Sequence, residues 1–217
     1  MKIPEVSVIT ANFNHAKWIS RCIRSVNNQE FINNIVVEHI IIDDCSTDNS
    51  LEVIEKYNTG NVVLIKNKKN FGLPNSLNIA IKKSRGRYVV RLDSDDYLSR
   101  NFIYIHKLFL DLNRNYSAIS SDYIHVDDKE NNLDRKFSKE NFIACGIMFR
   151  REVLFELGLY NEKFKFREGH ELMKRFLELN YILGYSNLPL YKYRMHDNNR
   201  SKLPDIDKFD KKLKENE

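Results

Sequence analysis

Three carboxylates lie within four residues at one point of the chain: Asp93, Asp95 and Asp96, with Ser94 among them. They follow an apolar run at residues 88–92, which predicts a short buried strand carrying the single charge of Arg91. Carboxylates crowded at a strand end repel one another and lose hydration, so a cation is needed to hold them together. Hard oxygen ligands favour Mg²⁺ or Mn²⁺, which proteins bind through a few carboxylates and the phosphates of a substrate. The alternative is an acidic turn, because aspartate is common in turns.

Two earlier strands are also predicted to end in polar clusters. Residues 6–10 form an apolar run before Asn12, and residues 35–42 form another that runs into Asp43 and Asp44. A helical spacing of apolar residues follows each run, so strand and helix alternate along the first half. Strands that are apolar on both faces and alternate with helices are typical of a parallel sheet covered by helices. Because ligands of such sheets bind beyond the carboxyl ends of the strands, the three clusters predict one binding site.

The length of the chain predicts one domain. Its 217 residues suffice for a single core, which we place at residues 1–204 and divide into halves at residues 1–98 and 99–204. Residues 127–139 are polar and charged, and they predict a mobile loop or an insertion. Residues 205–217 are nearly all charged, which predicts a solvated or frayed helix as a C-terminal tail.

The composition argues against several classes of protein. The net charge of +5 is mild, and no aromatic and basic motif of a nucleic-acid binder is present, so we expect no nucleic-acid partner. Three cysteines at wide spacing support neither a zinc knuckle nor a disulfide framework. The first residues lack the apolar run of a signal peptide, and nowhere do about 18 apolar residues follow one another. We therefore expect a cytoplasmic protein.

Three stretches in the first half carry a resemblance to a known family. They are SVITANFNHAKWISRCIRSV, IIIDDCSTDNS and NFGLPNSLNIAIKKSRGRYVVRLDSDDYL. In order, spacing and residue type they resemble the family 2 glycosyltransferases of the GT-A fold. The resemblance implies an α/β fold with a mostly parallel central sheet flanked by helices. It also implies an inverting transfer of a sugar from a nucleotide-sugar donor, with Mg²⁺ or Mn²⁺ bridging the diphosphate and the aspartates.

The resemblance assigns the metal site and the phosphate end of the donor. Asp95 is the expected direct ligand of the metal, Asp93 lies near the metal and the ribose, and Ser94 belongs to the same donor-binding loop. The string from Tyr193 to His196 resembles a closing motif of the family, so His196 either completes the metal site or is an exposed loop histidine. For Arg91 two roles stay open, a pair with Asp93 or a contact with the phosphates.

The resemblance also places the base of the nucleotide. Asp44 is expected to accept a hydrogen from the ring of the base, because an acceptor-only carboxylate suits the ring N–H of uracil. Ala11, Asn12 and Phe13 stand where the family contacts the base, although their types differ from the usual ones. Asn78 matches the family pattern, and its alternative role is to brace the sheet.

The catalytic base is expected at the start of a late helix. An inverting transferase needs a group that takes the proton of the acceptor hydroxyl as its oxygen attacks. The family places a Glu-Asp pair there, whereas this chain has Glu168 followed by Gly169. Glu168 is the first candidate for the base and Glu171, one turn later, is the second. The alternative is that both are surface carboxylates near the helix dipole.

These observations predict a metal-dependent glycosyltransferase of bacterial surface polysaccharide synthesis, with a UDP-sugar favoured as the donor. The acceptor is expected to be a saccharide or a lipid-linked saccharide, which leaves open contact with the inner membrane face and a homodimer. Residues 1–98 would bind the nucleotide sugar and residues 99–204 the acceptor. Two alternatives remain: a nucleotide-sugar-binding subunit without catalysis, which Gly169 favours, and a nucleotidyltransferase. A nucleotidyltransferase is expected to have a glycine-rich phosphate-binding loop after the first strand. The segment TANFNH stands at that place and has no glycine.

Overall fold

The structure is a computed structural model and describes residues 3–30, 35–197, 199, 209–211 and 213. Within them the strands are β1 (Val6–Asn12), β2 (Val37–Asp43), β3 (Val62–Lys66), β4 (Tyr88–Arg91), β5 (Tyr97–Leu98), β6 (Ala118–Val126), β7 (Asn132–Lys136), β8 (Met148–Arg150) and β9 (Leu183–Arg194). The main helices are α1 (Ile19–Asn27), α2 (Ser50–Tyr57), α3 (Leu73–Lys83), α4 (Phe102–Leu112), α5 (Arg151–Glu156) and α6 (Glu168–Glu178). The strands join in one sheet of order β3-β2-β1-β4-β8-β6-β9-β5, and β7 pairs with β6.

The first half forms the parallel part of this sheet, as predicted. β1 lies between β2 and β4 and runs parallel to both, and β2 pairs in parallel with β3. The register places Asn12 beside Asp43, so these two strands end together. Asp93 follows β4 at the same edge, because β4 also pairs in parallel with β1. The fold thus brings the three polar clusters to one side of the sheet.

Helices cover both faces of the parallel strands. Successive residues of β1 point to opposite faces, as in any strand. Val8 belongs to a core cluster with Ile23 of α1, whereas Ile9 belongs to a second cluster with Ile81 of α3 and Phe176 of α6. Burial on both faces explains why consecutive positions are apolar at Val8–Ile9 in β1 and at Ile40–Ile42 in β2.

The second half extends the sheet with mixed strand directions. β8 is antiparallel to β4 and β6 is antiparallel to β8, while β9 runs parallel to β6. The prediction of a mobile loop at residues 127–139 is wrong in part, because β7 lies within it and pairs antiparallel with β6. Most side chains of β7 are exposed, so backbone pairing, and not an apolar pattern, defines this strand. A salt bridge from Arg135 to Asp122 on β6 adds to the pairing.

The predicted C-terminal tail lies mostly outside the described residues. Within it Asp210 accepts two hydrogen bonds from Arg167, at 2.6 and 3.0 Å, and Phe209 lies near Phe166. The longest helices that the structure describes have 11 residues, and none has the length and apolar character needed to cross a bilayer.

The turn into β4 depends on a close approach of two backbones. A Cβ added at Gly86 would lie 2.6 Å from the backbone nitrogen of Ser7 and 2.7 Å from its Oγ. That Oγ accepts a hydrogen bond from the Gly86 nitrogen and donates one to Glu38. We expect Gly86→Ala to lower the free energy of unfolding by about 1–3 kcal/mol, because overpacking forces the two strands apart.

Chemical denaturation measures this loss, with Lys83→Ala at the exposed end of α3 as the control. The control should change the free energy of unfolding by less than about 0.5 kcal/mol. Equal stability of the Gly86→Ala protein and the wild type would contradict the close approach of the two strands.

Candidate active site

A cavity of about 640 Å³ opens at the edge where β1, β2 and β4 end. Its wall from the first half includes Asp44 and the loop from Asp93 to Asp96, and its wall from the second half includes Glu168. The sequence predicted that the polar clusters meet at one site. The structure brings Asp44 and Asp95 to the same cavity.

Ala11, Asn12 and Phe13 line the cavity at the end of β1. Asn12 is fully buried, and its Nδ2 donates to Asp43 Oδ1 at 2.9 Å and to Ser46 Oγ at 3.1 Å. This amide therefore ties the ends of β1 and β2 together. Phe13 is 43% exposed, so its ring is available to a flat ligand such as a nucleobase.

Asp44 is buried and organises the loop that follows β3. Its Oδ1 accepts hydrogen bonds from Asn67 Nδ2 and the backbone nitrogen of Phe71, and its Oδ2 accepts one from the backbone nitrogen of Gly72. A carboxylate has about four lone-pair positions, so one position on Oδ2 remains for a donor from a ligand. This arrangement is suited to the ring N–H of a base.

The carboxylates of the loop after β4 differ sharply in their surroundings. Asp96 is 2% exposed and accepts hydrogen bonds from the Tyr191 hydroxyl and the Arg194 backbone nitrogen, both at 2.7 Å. Burial raises the pKa of Asp96 well above its usual range, and the charges of Asp95 and Asp93 raise it further. Burial has the largest single effect on Asp95 and acts to raise its pKa, but the hydrogen bond with His196 and the charges of His15 and His196 together lower the net pKa.

This crowding makes the loop suitable for a divalent cation. Ligand atoms of Asp93, Asp96 and Cys145 all lie within 4.8 Å of one another. Burial raises the pKa of the Cys145 thiol, and so do the charges of Asp93 and Asp96. The hard ligands of this group are therefore the aspartate oxygens. Hard oxygen ligands fit Mg²⁺ or Mn²⁺, whose charge would relieve the repulsion among the carboxylates.

The other residues predicted for the donor's phosphate end lie around this loop. His196 Nε2 is 2.9 Å from Asp95 Oδ2, and its ring stacks on Trp18 with centroids 4.3 Å apart. Asp95 lines the cavity, whereas His196 contacts Asp95 without lining the cavity itself. Ser94 also lines the cavity, and its Oγ is 2.7 Å from Nδ1 of His15.

Arg91 takes the first of the two roles left open by the sequence. It is 6% exposed and pairs with Asp93 through a fork, Nε to Oδ1 at 2.6 Å and Nη2 to Oδ2 at 3.0 Å. Its third nitrogen, Nη1, donates to Oε1 of Glu168 at 2.9 Å. One buried cation thus bridges a carboxylate at the end of β4 and a carboxylate at the start of α6.

The two candidates for the catalytic base, Glu168 and Glu171, have different surroundings in the structure. Glu168 is buried in the wall of the cavity, whereas Glu171 lies outside it and binds Arg175 through both carboxylate oxygens.

Asn78 also lies outside the cavity: its Nδ2 donates to the carbonyl of Tyr160 and its Oδ1 accepts from the Tyr160 nitrogen. The structure therefore places Asn78 in the bracing role, between α3 and the segment before α6.

Gly169 is in close contact with the segment that precedes β8. A Cβ at this position would lie 2.1 Å from Cβ of Ala144 and 3.8 Å from Nη1 of Arg91. The glycine therefore allows α6 to pack against Ala144. Sequence reasoning missed Ala144 and Cys145, because both stand in a short apolar stretch that is typical of ordinary core.

Comparison with known proteins gives the relationships of the chain. A family model described as "Glycosyl transferase family 2" matches residues 7–173. An Escherichia coli protein, UDP-Glc:alpha-D-GlcNAc-diphosphoundecaprenol beta-1,3-glucosyltransferase WfaP, is 29% identical over 197 residues, which cover 88% of this chain and 77% of that protein. Two further relatives are the chondroitin synthase and the hyaluronan synthase of Pasteurella multocida, which match 98 residues of this chain at 42% and 41% identity. The match covers 45% of this chain but only 10% of the length of each synthase.

Solved structures share the fold. S. aureus TarS in complex with UDP-GlcNAc superimposes with a TM-score of 0.81 at 22% identity, over 96% of this chain and 65% of that one. The mannosyltransferase PcManGT from Pyrobaculum calidifontis, in complex with GDP-Man and Mn²⁺, gives a TM-score of 0.74 at 16% identity, over 92% and 59% of the two chains. At these identities the likeness shows the fold alone, which is the GT-A fold predicted from the sequence.

Gly169 and Ala144 give a direct test of the packing at the cavity wall. We expect Gly169→Asp to lower the free energy of unfolding by about 1–3 kcal/mol, because its Cβ would overlap the Ala144 methyl group. The double variant Ala144→Gly, Gly169→Asp removes that methyl group and should recover part of the loss. Thermal and chemical denaturation of the three proteins measure the effect. A Gly169→Asp protein as stable as the wild type would contradict this contact.

Proposed function

The chain belongs to glycosyl transferase family 2, and we propose that it transfers a sugar from a nucleotide diphosphate sugar to an acceptor hydroxyl with inversion. The observation that carries the proposal is the convergence of Asp44, the Asp93–Asp96 loop and Glu168 on one cavity. Each group suits a different part of such a reaction: the base, the diphosphate and the acceptor proton.

A UDP-sugar is the favoured donor. The free lone pair of Asp44 suits the ring N–H of uracil, and the partly exposed ring of Phe13 offers an apolar face beside it. Ala11 and Asn12 complete this side of the cavity. The structurally similar TarS was solved with UDP-GlcNAc, which supports the choice, while PcManGT was solved with GDP-Man.

Asp93, Asp95 and Asp96 would hold Mg²⁺ or Mn²⁺, with His196 orienting Asp95 through their hydrogen bond. The bound cation would neutralise the charge that develops on the leaving diphosphate. The protein's own part is to hold these oxygens in place before the donor arrives. Tyr191 and Arg194 do this for Asp96 through their hydrogen bonds.

Glu168 is the proposed base. The acceptor oxygen forms its bond to the anomeric carbon while its proton passes to the Glu168 carboxylate. The bond from that carbon to the donor's phosphate oxygen breaks, and its electron pair leaves with the nucleoside diphosphate. Glu168 can take this proton without leaving Arg91 unpaired, because the fork to Asp93 still balances the buried guanidinium.

The acceptor is proposed to be a saccharide or a lipid-linked saccharide of a bacterial surface polysaccharide. The name of WfaP describes a glycosyl transfer to a diphosphoundecaprenol-linked sugar, which supports this class. A cytoplasmic location, contact with the inner membrane face and a homodimer stay predictions from the sequence.

A non-catalytic nucleotide-sugar binder is the second candidate function. The observation that favours it is the contact between Gly169 and Ala144, which leaves no space for a carboxylate at position 169. Within the first turn of α6, Glu168 is then the only acidic residue that lines the cavity. Turnover that depends on Glu168 therefore distinguishes the enzyme from the non-catalytic binder.

A panel of UDP-, GDP- and CDP-sugars with Mn²⁺ tests the proposal through mass spectrometry of the products. We expect sugar transfer to an added glycan or, more slowly, to water, and no turnover after chelation of the metal. Glu168→Gln should lower kcat by about 10²- to 10⁴-fold, because general base catalysis contributes that much. Glu171→Gln is the matched control, since this residue lies on the same helix outside the cavity.

The control should keep the activity of the wild type. Binding of a nucleotide sugar by the wild type without any turnover would favour the non-catalytic binder. Unchanged turnover in Glu168→Gln would remove Glu168 from the role of base.

A further inference from the structure

The guanidinium of Arg91 contacts two carboxylates that serve different halves of the reaction, and its role in catalysis rests on the proposed function. We infer that Arg91 is a positioning residue that couples the metal site to the catalytic base, by fixing Asp93 and Glu168 relative to each other. Neither role previously open to Arg91, a simple pair with Asp93 or a contact with phosphates, includes this coupling.

The geometry requires an arginine. All three guanidinium nitrogens are engaged: Nε and Nη2 bind the two oxygens of Asp93, and Nη1 binds Glu168. The Arg91 side chain is 7% exposed, so water cannot readily substitute for a lost contact. A lysine keeps the charge but offers a single ammonium group, which cannot reproduce a planar fork and a third bond in a different direction.

The contact between Gly169 and Ala144 belongs to the same arrangement. A side chain at position 169 would meet Ala144 and would approach Nη1 of Arg91. Because Gly169 has no side chain, the first turn of α6 comes close enough for Glu168 to reach the guanidinium of Arg91. The start of α6 is therefore positioned by a packing contact on one side and by a charged hydrogen bond on the other.

The charges in this cluster predict effects of opposite sign on metal binding and on turnover. One buried cation is shared by two carboxylates, and Asp93 is also a proposed metal ligand. Arg91 therefore lowers the negative charge that Asp93 presents to a metal while it holds Glu168 in place. Removing the guanidinium should strengthen Mn²⁺ binding and weaken catalysis, whereas general unfolding would weaken both.

The first test is Arg91→Lys, which keeps a buried positive charge. We expect kcat for sugar release to fall about 100-fold, the loss that a misplacement near 1 Å causes, with the KM for the donor unchanged. The Kd of Mn²⁺ and UDP, measured by calorimetry, should change by far less than kcat, because Lys keeps a positive charge beside Asp93. Arg85→Lys is the control, because Arg85 also binds a carboxylate through Nε and Nη2, both on Oε2 of Glu38, at the opposite end of the sheet.

The second test is the double variant Arg91→Met, Glu168→Gln, which removes the cation without leaving Glu168 as an unpaired buried charge. We expect it to bind Mn²⁺ more tightly than Glu168→Gln alone, as read by the electron paramagnetic resonance signal of free Mn²⁺. Thermal melting of each variant confirms that the proteins compared are folded.

Three results would overturn the inference. They are wild-type kcat in Arg91→Lys, a loss of Mn²⁺ and UDP affinity in proportion to its loss of kcat, and Mn²⁺ binding in the double variant no tighter than in Glu168→Gln. Failure of the proposed function looks different: the wild type binds Mn²⁺ and UDP but turns over no donor. In that case the Mn²⁺ affinities still decide whether Arg91 lowers the negative charge that Asp93 presents to the metal.

Discussion

The site depends on one buried guanidinium. Arg91 lies at the end of a central strand, where a lone positive charge would be strongly unfavourable. Asp93 and Glu168 stabilise it by direct ion pairs, and in return their own positions are fixed. Because Glu168 begins α6 and Asp93 follows β4, this cluster joins the two halves of the chain at the cavity. A carboxylate on each side of the cavity is thereby held at a set distance from the other.

The rest of the fold brings ligands to the same edge. Parallel pairing of β2, β1 and β4 puts the ends of three strands side by side, and each end carries a polar cluster. The carboxylates at these strand ends differ in their hydrogen-bond partners. Asp43 and Asp96 are held by protein partners, whereas Asp44 accepts three hydrogen bonds and also lines the cavity. Neighbouring aspartates in the sequence therefore do not have equivalent roles.

The sequence was sufficient to predict the parallel half and its polar edge, because strands that are buried on both faces leave a strong apolar signal. It could not predict the bond between Arg91 and Glu168, whose partners are 77 residues apart. β7 was missed because its side chains are exposed and its strand is defined by backbone pairing. Asn78 matched a family pattern, but its amide is engaged by the backbone of Tyr160, a contact that only the tertiary structure reveals.

A crystal structure of the protein with UDP and Mn²⁺ is the most direct test of the claim that these groups form one donor site. We expect the uracil ring to lie beside Phe13 with its N–H directed at Oδ2 of Asp44, and Mn²⁺ to join the diphosphate to Asp95. Nucleotide density in any other place, or Mn²⁺ bound away from the Asp93–Asp96 loop, would contradict this claim.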